Sequence, residues 1–220
     1  MRIRPVGTHA LLLDCAEPEP GGTPPGSGSD VAARVEAWRA ELWRRRDRGD
    51  LAALEIVPAA TTVLLDGVPD PVATAAVVAG WTPEHLTTTA AAGSVDVPVT
   101  YDGEDLPAVA DHWGVDVAAV VDRMAGTAFR VAFCGFAPGF AYLTGLPADL
   151  SVPRLPSPRP RVPAGSVALA GPYAGIYPTA SPGGWLLVGR TALTLFDVHA
   201  DPPARLVPGT RVRLVPARQP

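Results

Sequence analysis

The chain of 220 residues contains no lysine and no asparagine; all 18 basic residues are arginine. Without lysine there is no Schiff-base amine, no lysine nucleophile and no lysine for a phosphate-binding P-loop. A GC-rich genome accounts for both absences, because the codons for these residues are AT-rich. Cysteine occurs only at 15 and 134, which excludes a disulfide framework and fits a reducing compartment. No apolar run approaches the ~18–20 residues needed to span a bilayer, so no membrane association is expected. Leu11–Cys15 faintly resembles a lipoprotein cleavage box, but the apolar run is too short and Asp14 stands where a small residue is required. The chain reads as cytoplasmic. The formal net charge of −4 lacks the basic footprint of a nucleic-acid binder. The four histidines, His9, His85, His112 and His199, show no metal-ligand spacing, so no metal is expected. No Gly-x-Ser-x-Gly elbow is present, which gives no support to a conventional serine hydrolase.

Proline (26) and glycine (22) are abundant, and together they exclude a long helical bundle. Apolar residues make up 47%, a globular balance, and the length fits one large domain or two small ones. Arg2–Val6 and Ala10–Asp14 read as short strands around Gly7. Residues 17–29, rich in Pro, Gly and Ser, read as a surface loop, with Ser29 or Asp30 as helix cap. A helix over about 31–48 places Val31, Val35, Trp38 and Leu42 on one face. Its terminal Arg44, Arg45, Arg46 and Arg48 complement the helix dipole as a solvated end. Strands are expected at 54–57 and 61–65, separated by Pro58, a helix at 71–79 and a strand at 95–101. The first 80 to 90 residues thus alternate strand and helix, a small α/β or α+β unit. Residues 104–126 read as a helical hairpin broken at Gly114. From Phe129 onward, short β runs at 129–133, 166–170, 185–188, 193–196 and 211–215 alternate with Pro/Gly turns, which predicts a closed or sandwiched β domain. The expected division is 1–90 and 91–220, in an α+β chain overall.

Two likenesses are set aside on physical grounds. Residues 106–124 have helix-turn-helix spacing, but Asp116 and Asp122 oppose a single Arg123 on the would-be recognition helix, which phosphates would repel. Gly184–Thr191 has Walker A spacing with Arg in place of Lys, but its bulky apolar interior favours a strand over a phosphate-cradling loop. His199 with Asp197 and Asp201 reads as a polar turn.

Three segments carry the chemistry. FCGFAPGFAYL, residues 133–143, brackets a Gly/Pro turn with aromatics, a plausible pocket wall. In PSPRPRVPAGSV, residues 156–167, Arg159 and Arg161 alternate with prolines, so both guanidiniums fall on one side of an extended stretch, suited to a carboxylate or phosphate. In GPYAGIYPTASPGGWLLVGRT, residues 171–191, Tyr177, Ser181, Gly183, Gly184 and Arg190 offer donors at turns beside strands.

These three strings resemble the family of the B-type 5-oxoprolinase subunits, also called allophanate hydrolase subunit 1, a carboxyltransferase C/D-type family that includes a sporulation kinase inhibitor. Weaker similarity runs through 54–65 and 95–101. The resemblance implies a small α/β N-terminal domain followed by a cyclophilin-like β-barrel. It implies two partners of the 5-oxoprolinase complex, a carboxyltransferase-like C-type subunit and an A-type subunit. Together they open 5-oxo-L-proline to L-glutamate with ATP. The chain lacks a P-loop and a metal cluster, so ATP is expected to be handled by the complex rather than by this chain alone. The expected substrate-binding residues are Gly135, Phe136, Pro138, Gly139, Phe140 and Tyr142 as pocket wall. Arg159, Arg161 and Arg190 are expected as anion-binding groups. Ser166, Tyr177 and Ser181 are expected as hydrogen-bonders, beside Gly183 and Gly184. No general acid or base is readable. Relatives often carry His eleven residues before Gly135, where this chain has Met124. Two other readings stand: a histidine-kinase inhibitor, and a carboxyltransferase half of a urea carboxylase or allophanate hydrolase system that would need a biotin-bearing partner.

Overall fold

The structure, a computed structural model, describes residues 1–17, 28–83 and 93–217. The chain forms two compact units, Met1–Thr89 and Ala90–Pro220.

In the first unit, β1 (Arg2–Val6), β2 (Ala10–Asp14), β3 (Glu55–Pro58) and β4 (Thr62–Asp66) form a sheet in the order β1-β2-β4-β3. Every pairing is antiparallel, so of the two readings of this unit the structure has α+β. Pro58 does not separate the strands; it ends β3, which lies at a sheet edge where a missing N–H costs no ladder bond. Helix α1 (Gly28–Asp47) buries Val31, Val35, Trp38 and Leu42 against Leu11, Leu13, Val63 and Leu65. It starts earlier than expected, so Ser29 and Asp30 fall in its first turn; the rest of the expected loop, 18–27, lies outside the described residues. Helix α2 (Pro71–Ala79) begins with Pro at its first position, and the Asp70 side chain accepts from the Val72 and Ala73 N–H groups. The arginine-rich end of α1 is not merely solvated. Arg44 and Arg45 grip the buried Glu41, with Arg45 Nε at 2.7 Å. Arg45 also stacks on Trp81 at 4.7 Å and Arg46 on Trp43 at 3.9 Å.

The second unit contains β5 (Ser94–Val99), α3 (Leu106–Trp113), α4 (Val117–Gly126), β6 (Phe129–Cys134), β7 (Ala141–Thr144), β8 (Arg159–Val162), β9 (Ser166–Ala170), β10 (Tyr173–Ile176), β11 (Ser181–Gly183), β12 (Leu186–Arg190) and β13 (Arg211–Pro216). Seven strands form one sheet in the order β12-β9-β10-β7-β6-β13-β5. Its two ends meet, because Thr100, just past β5, bridges Arg190 of β12. The N–H of each donates to the other's carbonyl at 2.8–2.9 Å, which nearly closes a barrel. Alternate residues point to one face and form the main core: Val97, Val99, Phe129, Val131, Leu143, Val167, Leu169, Ile176, Val188, Val212 and Leu214. Trp113, Val120 and Met124 of the helical hairpin join it. Gly114 ends α3 in the left-handed region at φ 63, and Asp116 accepts from the Ala119 N–H to start α4.

Leu193–Phe196 is not a strand. It makes a single bridge, Phe196 to Ala204, because the facing Pro202 and Pro203 offer no N–H to extend a ladder. Strands β7, β8, β10 and β11, read from the sequence as turns and extended loops, are ladder segments. Leu186–Arg190, the stretch with Walker A spacing, is a barrel strand.

Candidate functional site

The residues between those of the main core point to the opposite face of β7, β9, β10 and β12. There Phe140, Ala168, Ala170, Tyr177, Trp185 and Leu187 form a second cluster, with Tyr142 and Tyr173 packed on it. It is an aromatic layer. Phe140 meets Tyr142, Tyr177 and Trp185 edge-on at 5.1, 5.3 and 5.5 Å. A register shift between Val131 and Phe133 reverses the parity of β6 and sets Phe133 opposite Tyr142, with the rings stacked at 4.3 Å. Gly175 is required beneath this layer: a Cβ there would lie 2.9 Å from the Trp185 ring and 3.0 Å from Phe140.

The turn between β6 and β7 carries most of the residues expected as a pocket wall. Phe136 has φ 71 and is spanned by an Ala137 N–H to Gly135 carbonyl bond of 2.9 Å. Its ring is 61% exposed and leans edge-on against Phe140 and Tyr177. Pro138 is exposed. Gly139, at φ 80, is required by close approach, since a Cβ would stand 2.6 Å from that of Phe196.

A two-stranded ribbon of β8 and β11 carries Arg159, Arg161, Ser181 and Gly183 of the other predicted residues. Gly183 pairs with Arg159, and a Cβ on Gly183 would fall 2.2 Å from the Tyr177 hydroxyl. The Gly184 carbonyl accepts from the Leu155 N–H at 2.8 Å. The Ser181 hydroxyl donates to the Thr179 carbonyl at 3.0 Å. Burial raises the Tyr177 hydroxyl above the ordinary tyrosine range; the Trp185 backbone N–H, Arg154 and Arg159 pull it back down.

The arginines differ in how they are engaged. Arg159 donates from Nη2 to both oxygens of Asp105 at 2.8 Å and from Nη1 to the Trp185 carbonyl at 3.3 Å, and its Nε lies 2.7 Å from Glu104. It is held by acids of its own chain. Arg190 sits at the barrel seam, paired through Nε and Nη2 with Asp102 at 2.8 Å. Ser166, buried, is paired in register with Arg190 at that same seam, and its carbonyl accepts from the Tyr177 N–H at 2.9 Å. Arg161 is exposed and has no ion pair among the described residues. Met124 is fully buried in the main core and is not part of the layer.

Sequence reasoning missed Asp102, Glu104 and Asp105, the acids that occupy these arginines, and it missed Arg154, Tyr173 and Trp185. The signal for the acids lay in Asp102-Gly103-Glu104-Asp105, three carboxylates around a glycine. A Cβ on Gly103 would fall 2.3 Å from the Leu187 carbonyl. Trp185 was in plain view in Gly183-Gly184-Trp185, a large ring following two residues that let the backbone approach.

Among the described residues no three His, Cys, Asp or Glu side chains gather as metal ligands. No described helix is long and apolar enough to cross a membrane. Neither the stretch with Walker A spacing nor Arg159 and Arg190 offers a cradle for a nucleoside triphosphate. The stretch with Walker A spacing is laddered to β9, and the arginines beside it are paired with acids. What the layer offers is an aromatic wall, a few cations and buried hydroxyls.

Residues 1–206 match the family model described as carboxyltransferase domain, subdomain C and D. The B-type 5-oxoprolinase subunit of Escherichia coli O157:H7 is 47% identical over 128 residues, 57% of this chain and 59% of that protein. The chain thus spans little more than half the length of this curated relative. The crystal structure of TTHA0988 superposes over 100% of this chain and 41% of its own, with 34% identity and a TM-score of 0.74. The Kluyveromyces lactis urea carboxylase, at 17% identity and a TM-score of 0.66 over 98% of this chain and 22% of its own, shares the fold alone. By the family match the chain belongs to the carboxyltransferase domain, subdomain C and D, family.

Proposed function

We propose that the chain is one component of an ATP-dependent 5-oxoprolinase that opens 5-oxo-L-proline to L-glutamate. It would work with a carboxyltransferase-like C-type subunit and an A-type subunit, in the cytoplasm. The observation that carries this reading is the 47% identity to a protein named as the B-type subunit of 5-oxoprolinase. The barrel is, in this reading, the cyclophilin-like domain that the family implies, and 1–90 and 91–220 are its two domains.

Opening the lactam breaks an amide C–N bond stabilised by resonance, with water supplying the new C–O bond, so the amide must be activated. In this reading ATP is handled by the complex rather than by this chain alone, because the stretch with Walker A spacing is a barrel strand and Arg159 and Arg190 are paired with acids. This chain then contributes the substrate-facing wall. Its aromatic layer excludes water and offers flat apolar surface to a small ring, and Phe136 stands where it can reach a ligand or a neighbouring subunit. Arg159 and Arg190 serve that wall indirectly, by fixing the loops that hold it.

The test is reconstitution. The chain is co-expressed with its host's A-type and C-type homologues, and glutamate is measured from L-5-oxoproline and ATP. Glutamate formed only when all three are present is the expected result. An assembled complex that forms none overturns the reading, and retention of a sensor kinase in its place would favour the inhibitor.

A further inference from the structure

Four arginines lie on the strands and loops that build the aromatic face, and two of them are held by acids of the chain. Arg159 is saturated by Glu104, Asp105 and the Trp185 carbonyl. Arg190 is paired with Asp102. Arg161 is exposed on β8 and makes no ring contact among the described residues. Arg154 is different. It is exposed, has no ion pair among the described residues, and its guanidinium carbon lies 5.9 Å from the centroid of the Trp185 ring. A cation–π contact uses none of the guanidinium's five N–H donors, so they remain available to an acceptor.

Trp185 supplies a second and independent observation. Its side chain is only 5% exposed, yet the indole N–H has no acceptor among the described residues. An indole N–H is a donor only, and in a buried setting it ordinarily finds a partner. Among the described residues no fully buried side-chain nitrogen or oxygen lacks a partner, so this N–H opens at the surface. A cation and a solvent-reaching indole donor with no acceptor among the described residues therefore meet at one ring, walled edge-on by Phe140 and Tyr142 at 5.5 and 5.6 Å.

We propose that Arg154 and the indole N–H of Trp185 form an anion-recognising corner on the aromatic layer, which takes the carboxylate of a small ring acid. That the acid is 5-oxoproline rests on the function proposed above; the corner itself does not. Arg159, one of the three arginines the sequence marks as anion-binding groups, is instead a positioning residue. The downward pull of Arg154 on the Tyr177 hydroxyl fits a charge that reaches into the layer.

The experiment has two readouts. In the reconstituted complex, Arg154→Gln raises the KM for L-5-oxoproline at least tenfold and leaves kcat within threefold, and Arg154→Lys recovers part of the loss. Binding of the neutral carboxamide of 5-oxoproline, measured by calorimetry, stays within twofold. In the full chain alone, titration with sodium acetate shifts the Trp185 indole N–H resonance, and Arg154→Gln abolishes the shift. The unfolding midpoint of Arg154→Gln stays within 2 °C, as expected for an exposed side chain without an ion pair. A KM within twofold of the unaltered complex, or equal losses for acid and amide, overturns the corner while leaving the proposed function in place. An acetate shift that survives Arg154→Gln overturns it as well. A complex without turnover, in a chain whose acetate shift depends on Arg154, removes the function and leaves the corner standing.

Discussion

Phe136 is the one non-glycine among the described residues with a positive φ, a conformation that costs of the order of 1–3 kcal/mol when a bulky side chain adopts it. Its ring recovers little of this, because most of it is exposed. The ~1 kcal/mol from partial burial against Phe140 and Tyr177 offsets the strain without exceeding it. Asparagine tolerates that backbone region, so Phe136→Asn trades relieved strain for lost contact. Its unfolding free energy in urea is expected to stay within about 1 kcal/mol of the unaltered chain. The kcat/KM of the reconstituted complex is expected to fall at least tenfold, because the exposed ring is kept for what it meets outside the chain. A loss above about 3 kcal/mol would instead make Phe136 a core anchor. Met124 shows the opposite economy. It is fully sealed in the main core, where an unbranched apolar side chain fills space and no chemistry reaches it.

At the scale of elements, a clasp joins the start of α3 to β12 and to the ribbon. Asp105 accepts from the Leu187 N–H at 2.7 Å and from Arg159 twice, and both side chains are mostly buried, 12% and 20% exposed. Asp105→Ala strips the acceptor from a buried amide and a buried cation together, so a loss of about 2–4 kcal/mol is expected in urea unfolding. Adding Arg159→Met should recover about 1 kcal/mol of it, because a mostly buried cation left with only the exposed Glu104 and the Trp185 carbonyl goes too; strictly additive losses would show that the pair does not interact. The same elements mark what was legible in the sequence. α2 and β9 match their expected bounds, because a proline start and a short apolar run between Gly165 and Gly171 are local signals. The helical face Val31, Val35, Trp38, Leu42 is buried as its spacing requires. The strands at β7 and β10 were hidden, since both faces of this part of the sheet are covered and the period-2 contrast vanishes. β8 and β11 are short and proline-bearing, and only their mutual pairing makes them strands. The site was legible as a set of aromatics but not as a set of charges. Arg159 and Asp105 stand 54 residues apart, and no local pattern announces a pair that the closing of a barrel creates.

The whole molecule carries a pH dependence spread over both units. Cys15 in the first and Cys134 in the second are each pushed up to about 11 from 9.0, chiefly by burial. For Cys15, Arg34 works against the shift and Asp14 with it. The Cys134 thiol donates to the Leu206 carbonyl at 3.3 Å. Burial also raises Tyr101, whose hydroxyl donates to the Leu214 carbonyl at 3.2 Å. All three are acids that stay neutral in the native state after the unfolded chain has begun to ionise. Between pH 9 and 11 the native state therefore binds more protons than the unfolded one, and the slope of stability against pH is negative. The contribution of the two thiols is intact below pH 9 and is lost as pH rises through about 11. Thermal midpoints followed by circular dichroism should be flat from about pH 7 to 8.5 and fall above about pH 9. Cys15→Ala and Cys134→Ala should each flatten that fall, and the double variant should flatten it most, leaving the share of Tyr101. The thiolate, not the thiol, is the nucleophile, so the same burial predicts slow alkylation of both cysteines by iodoacetamide at about pH 8 in the folded chain and fast alkylation in urea. An alkaline fall unchanged by the double variant would locate the effect in other groups, and rapid native alkylation of Cys15 would contradict the burial from which its raised pKa follows.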